Sequence, residues 1–211
     1  MFSWDLLANA IVAGVLLGGF YAAVSLGVSL TFGLLDVVNI AQPAFVVLGS
    51  YAAYVMNSSF GFDPILTGLI FTPVFYGLGA VVYRIYYASF ERRGEESLRG
   101  LVFFFGVLFI IEVSLSLKYG VDYRLVEAFY IGKSIDIGGI GIAFRLLVPF
   151  VVGVAMTVAL SLFLSRTFYG RAIMGVSQDR LALRLMGANP VQIKTIAFGI
   201  GIAAASLSGA L

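Results

Sequence analysis

The sequence contains no cysteine and no histidine, and only 11% of its residues are charged. Without the first two, disulfides, thiolate catalysis, haem ligation and imidazole metal sites are all excluded from this chain. A formal net charge of +2 is too small to indicate a nucleic-acid partner, and the charges fall almost entirely between apolar runs. An enzyme would need a polar catalytic cluster, which Asp36, Glu112 and scattered serines do not supply. No basic segment precedes the first apolar run, and that run is too long for the core of a signal peptide, so no cleavable leader is expected. What remains is apolar. With 61% hydrophobic residues and a mean hydropathy of +1.03, a chain of 211 residues carries far more apolar surface than a soluble domain could bury. Its apolar runs are long and nearly uncharged rather than alternating ten-residue segments, which selects helices over a barrel. The expected fold is therefore all-α: one polytopic transmembrane bundle over residues 1–211, with about six spans.

Leu6 to Leu35 carries no charge. As one helix it would be about 45 Å long, more than the roughly 30 Å hydrocarbon core requires, so this span is tilted or broken. Asp36 interrupts, and Asn39, Gln42 and Pro43 gather at the start of the next uncharged run. Proline suits a first helical turn, which predicts a helix from near Pro43 to about Met56, preceded by irregular backbone. Irregular backbone at membrane depth survives only where protein or a wet cavity satisfies it. Asn39, Gln42 and Pro43 therefore either satisfy a helix break inside the bundle or lie on a substrate path. Pro64 to Tyr83, Gly100 to Leu117, Leu146 to Ser165 and Thr195 to Leu211 are further spans. Glu112 sits inside one of them, where a buried acid is costly unless paired or wet, and reads either as helix-to-helix glue or as a pathway group. Between the fourth and fifth spans, IGKSIDIGGIGIAF alternates apolar residues about Gly138-Gly139, predicting a short β-hairpin.

Basic residues set the orientation. None occurs before Arg84; 84–99 holds four, 118–145 holds four beside nearby acids, and 166–194 holds five. The first and last of these intervals are separated by two spans, so they share a side, and the positive-inside rule makes it cytoplasmic. The hairpin is then extracytoplasmic, and parity puts Met1 outside.

Gly170 to Lys194, GRAIMGVSQDRLALRLMGANPVQIK, is the longest polar interval and is punctuated as a small structure. Asp179 is placed to cap a helix over Arg180 to Met186, and Gly187 to end it in the left-handed conformation. Asn189 caps the next helix with Pro190 at its first position. On the short helix, Leu181 and Leu185 form an apolar ridge and Arg180 and Arg184 a basic one beside it. That surface suits either a partner's groove or the lipid headgroups.

Three stretches, GGFYAAVSLGVSLTFGLLDVVNIAQPAFVVLGSYAA, SRTFYGRAIMGVSQDRLALRLMGANPVQIK and AFGIGIAAASLSGAL, make the chain resemble the permease subunits of ATP-binding cassette importers for branched-chain amino acids. The resemblance implies a cytoplasmic coupling loop over 170–194 that sits on an ATPase subunit, carried here by Gly170, Arg171, Ala172, Asp179, Ala182 and Gly187. It further implies a second permease subunit, an extracytoplasmic substrate-binding protein and a prokaryotic cytoplasmic membrane. ATP and Mg would be bound by the ATPase partners, with no cofactor or metal on this chain. Where relatives read Asn-Phe-Ala-His-Gly-Glu, this chain reads Asn39-Ile40-Ala41-Gln42-Pro43-Ala44, and Glu112 stands where many have glutamine. The chain is also about two spans shorter than is usual for the family. Leucine, isoleucine and valine are the implied substrates, with urea or short amides as the alternative; a secondary transporter or channel is the reading from outside the family.

Overall fold

The computed structural model describes residues 4–94, 98–137, 140–185 and 187–211. Among the described residues eight α-helices run in chain order: α1 Trp4–Val28, α2 Gln42–Phe60, α3 Pro64–Ser89, α4 Leu98–Tyr119, α5 Phe144–Arg166, α6 Phe168–Gln178, α7 Arg180–Leu185 and α8 Pro190–Gly209. Five of them, α1, α3, α4, α5 and α8, are long and apolar enough to cross a membrane. The sixth expected span, α2, has 19 residues and is more polar, with Gln42, Ser50, Tyr51, Tyr54 and Asn57 along it. An antiparallel pair, β1 Ser134–Ile137 and β2 Ile140–Ala143, forms the expected hairpin, with Ile137 opposite Ile140. Its Gly138-Gly139 turn lies outside the described residues.

Local chemistry sets the helix ends. The Asp63 carboxylate accepts from the Ile65 N–H at 2.9 Å, with Pro64 at the first helical position of α3. At the far end of α1 the backbone widens into a π-helical segment, Ser29–Leu34, which stops at Asp36 with φ of 55°. The Val37 N–H then bonds back to the Thr31 carbonyl at 3.0 Å, satisfying a terminal carbonyl as a left-handed cap does. The π segment continues α1, so Leu6–Leu34 remains one helical run and the break comes only after it.

The bundle is built around α8. Two-thirds of its most apolar stretch is buried inside the chain, against 11% for α5 and 22% for α1. Helices α1, α2 and α3 pack directly on it, which its small residues permit. A Cβ on Gly49 of α2 would lie 2.9 Å from the Ala205 carbonyl oxygen, and one on Gly79 of α3 would lie 2.8 Å from Ile202 Cβ. In a bilayer, where lipid tails are as apolar as leucine, such close backbone contact is the chief source of helix association. Helix α5 packs on α1, where Gly153 lies against Gly19 and Ala23. Aromatic rings fill the region where α3, α4 and α8 meet: Tyr86 and Phe104 are 5.1 Å apart, and Phe104 and Phe198 stack at 5.6 Å.

Orientation is internally consistent. Asn9, near the start of α1, accepts the Gly141 N–H of the hairpin at 2.9 Å. The beginning of α1 and the hairpin therefore lie at one end of the bundle, and α6, α7 and the start of α8 at the other.

Candidate functional site

Three places in the molecule carry polar structure that packing alone does not require. The first is the interval 166–190. Thr167 caps α6, its hydroxyl accepting the Gly170 N–H at 2.9 Å. Gly170 is pressed against the backbone of Phe163 and Leu164, so the corner between α5 and α6 has no room for a side chain. Helix α6 is amphipathic, burying Ala172, Ile173 and Val176 and leaving Arg171 exposed. The sequence predicts loop over this part of the interval. The signal for a helix is present as apolar residues three apart, Ile173 and Val176, but Arg171, Ser177 and Gln178 dilute it.

Asp179 is extended, joining α6 to α7, and its carbonyl accepts the Leu183 N–H at 3.3 Å. Helix α7 ends as expected: Gly187 has φ of +80°, its N–H bonds to the Arg184 carbonyl at 3.0 Å, and the Ala188 N–H bonds to Leu183 at 3.2 Å. This pair of bonds is the Schellman motif. Asn189 then accepts the Val191 N–H at 3.0 Å and opens α8. Leu183 turns inward, whereas Arg184 and Leu185 are exposed, Leu185 by 82%. The backbone of Arg180, Leu181 and Ala182 is helical, and their side chains lie outside the described residues, as does Met186.

The second place is the start of α2. Gln42, 1% exposed, donates through Nε2 to the Gly201 carbonyl of α8 at 3.0 Å and accepts from Asn39 Nδ2 at 3.3 Å. Asn39 in turn accepts the Ala41 N–H at 3.1 Å. The Gln42 amide occupies a slot between Gly27 of α1 and Gly201 of α8, so these side chains bolt the irregular segment to the central helix. Neither Asn39 nor Gln42 lines any of the principal cavities, nor does Pro43 or Glu112. Glu112 lies on an outward face of α4 and makes no hydrogen bond or ion pair with the described residues. Among the described residues it bridges no pair of helices, its side chain being exposed.

The third place, at the outer end, is not among the sequence-predicted sites. A cavity of about 490 Å³ lies beneath the loop after α4, bounded by Tyr51 and Tyr54 of α2, Asp122, Arg124 and Tyr130 of the loop, and Arg145 of α5. The loop is tied down by Asn57. Its amide donates to the Glu127 carbonyl at 2.8 Å and accepts the Glu127 N–H at 3.2 Å. Arg124 bonds the Tyr54 hydroxyl at 3.2 Å and the Tyr119 carbonyl at 2.8 Å. Burial, helped by the Asp63 carboxylate, raises the pKa of the Tyr130 phenol, so it stays protonated and available as a donor. Arginines, tyrosine hydroxyls and one carboxylate around one cavity can meet both charges of a small zwitterion. Below it, between α2, α3 and α4, a second cavity of about 530 Å³ is almost wholly apolar, and Tyr51 borders both.

Residues 10–211 match the family described as "Branched-chain amino acid transport system / permease component". The chain belongs to this permease family. It is a polytopic membrane protein, with five helices long and apolar enough to span a bilayer. The permease is 25% identical to the high-affinity branched-chain amino acid transport system permease protein BraD of Pseudomonas aeruginosa, over 95% of this chain and 69% of that one. It is 25% identical to LivH of Escherichia coli strain K12, over 94% and 68%. It is 23% identical to a probable branched-chain amino acid transport permease protein LivH of Methanocaldococcus jannaschii, over 98% and 67%. The permease thus spans about two-thirds of these relatives' length. No solved structure matches it.

Proposed function

We propose that this chain is the membrane-spanning subunit of an ATP-binding cassette importer for branched-chain amino acids, with no catalytic step of its own. ATP and Mg belong to ATPase partners, a second permease subunit completes the pathway, and an extracytoplasmic binding protein delivers substrate. The carrying observation is α7, a short helix closed by a Schellman turn, with Arg184 and Leu185 left exposed. Holding Leu185 exposed beside Arg184, between two rigid helices, suits a segment that docks elsewhere. Gly170, Arg171, Asp179, Arg180, Leu181, Ala182, Arg184, Leu185 and Gly187 are assigned to this ATPase contact or its framing. On the outer side, substrate enters the cavity bounded by Tyr51, Tyr54 and Arg124 and moves along α2. The Asn39–Gln42–Pro43 segment closes the path at the level of Gly201. Glu112 faces outward, where a second permease subunit would meet it.

Co-purification tests the docking. Leu185→Asp places an unpaired charge in the contact, a change that costs on the order of 3–5 kcal/mol in buried interfaces. The variant is expected to insert normally and to lose its ATPase; recovery of the ATPase at wild-type yield would refute the assignment. Competition for uptake between leucine and urea in the assembled complex decides the substrate class, with leucine expected to win.

A further inference from the structure

Lys194, in the second turn of α8, is 2% exposed, and its ammonium lies 2.5 Å from Glu91 Oε1. Glu91 stands in a single 3₁₀ turn, Glu91–Arg93, between α3 and α4, and its side chain is only 8% exposed. Its other oxygen accepts the Tyr83 hydroxyl of α3 at 2.7 Å. The Tyr83 ring is fully buried and sits 5.6 Å from that of Phe198 on α8. The end of α3 with its 3₁₀ turn and the start of α8, 103 residues apart at Glu91 and Lys194, are thereby joined by one desolvated ion pair and one phenol, immediately after the segment that carries α7.

Replacing a buried ion pair by apolar side chains of similar volume is commonly neutral or stabilising, so stability alone is a weak reason to place one here. Its distinctive mechanical property is different. Apolar surfaces slide past one another with little change in contact, whereas separating a desolvated lysine from its glutamate leaves two unpaired buried charges. The α3–α4 corner must therefore follow the start of α8 wherever it goes. From Leu185 the chain reaches Lys194 through a capped turn, Gly187 to Asn189, and the first turn of α8, without a slack loop.

We propose that Lys194, Glu91 and Tyr83 form a rigid joint that carries displacement of α7 into the α3–α4 corner, making them positioning residues for transport. The proposal rests on the importer reading above. The role differs from a merely stabilising one in what an apolar replacement does.

The test uses the full chain, assembled with its ATPase, second permease and binding protein in proteoliposomes, and measures radiolabelled leucine taken up per ATP hydrolysed. Lys194→Met with Glu91→Met removes both charges and keeps the volume. The expected result is an assembled complex that still hydrolyses ATP, with uptake per ATP reduced about three- to thirtyfold. Tyr83→Phe, which deletes a single hydroxyl, is expected to lower the same ratio by a smaller factor. An unchanged ratio in the double variant overturns the proposal; if the double variant does not assemble, an unchanged ratio in Tyr83→Phe overturns it. Absence of ATP-dependent leucine uptake in the wild-type complex would instead overturn the importer reading.

Discussion

Gly27→Ala tests whether the start of α2 is held by the geometry described. A Cβ at position 27 would fall inside the Gln42 amide and 2.5 Å from the Gly201 carbonyl oxygen. Neither neighbour can yield cheaply. The amide is buried and bonded on both sides, and the carbonyl belongs to the central helix. Overpacking of this kind costs about 1–3 kcal/mol, and expelling the amide forfeits a buried hydrogen bond worth roughly 1 kcal/mol. Gly201 keeps its intrahelical bond, so no fully orphaned group is added, and the total is about 2–4 kcal/mol against a typical stability of 5–15. For a chain of this size that corresponds to a fall in Tm of roughly 4–16 °C, read by thermal denaturation of the purified chain in detergent. Gly14→Ala and Gly18→Ala on the same helix are the controls, since nothing lies within 4 Å of a Cβ at either position. They are expected to melt with the wild type or slightly above it. Combining Gly27→Ala with Gln42→Ala removes the amide from the slot, so the two losses should fall short of additivity by about 1 kcal/mol. A Gly27→Ala variant that melts with Gly14→Ala, or strict additivity in the double variant, would refute the slot.

Asn57→Ala removes the two Glu127 bonds that help hold the outer loop to α2 and is expected to raise amide exchange around Glu127 by about tenfold while leaving α8 protected; unchanged exchange would separate the loop from Asn57. Glu112→Gln should leave the melting temperature of the isolated chain unchanged, because the carboxylate has no partner there, and loss of uptake in a normally assembled complex would assign its charge a role. Cysteine introduced at position 42 should resist a water-soluble thiol reagent in this closed conformation, whereas one at position 54 on the outer cavity should react; labelling of position 42 under ATPase cycling alone is the expected signature of a path along α2.

Features set by neighbouring residues were legible in the sequence. The apolar spans of α1, α3, α4, α5 and α8, the hairpin that pairs Ile137 with Ile140, the Gly187 stop and the Asn189-Pro190 start all follow from apolar runs and from turn and cap chemistry within a few positions, whereas α2, the sixth expected span, is not among the helices long and apolar enough to cross. Helix α2 begins at Gln42, one residue before the expected proline, and runs on to Phe60 rather than Met56, because the stop is Gly61, which at φ of 69° closes the helix with its N–H on the Asn57 carbonyl. What could not be read was pairing at a distance. Gln42 meets Gly201 and Lys194 meets Glu91 only because α8 threads the middle of the bundle, and nothing local to either residue names its partner. Asn57 was equally mute, since its partners lie in a loop that composition described only as polar.

The central position of α8 also governs how the molecule can be made. A chain emerging amino end first delivers α1 to α5 to the bilayer before the helix on which three of them pack exists. Until α8 arrives, the close contacts of Gly49 with Ala205 and of Gly79 with Ile202 have only lipid in their place. Nascent chains halted before Pro190 should therefore remain open to protease and to membrane chaperones, and should become resistant in a single late step.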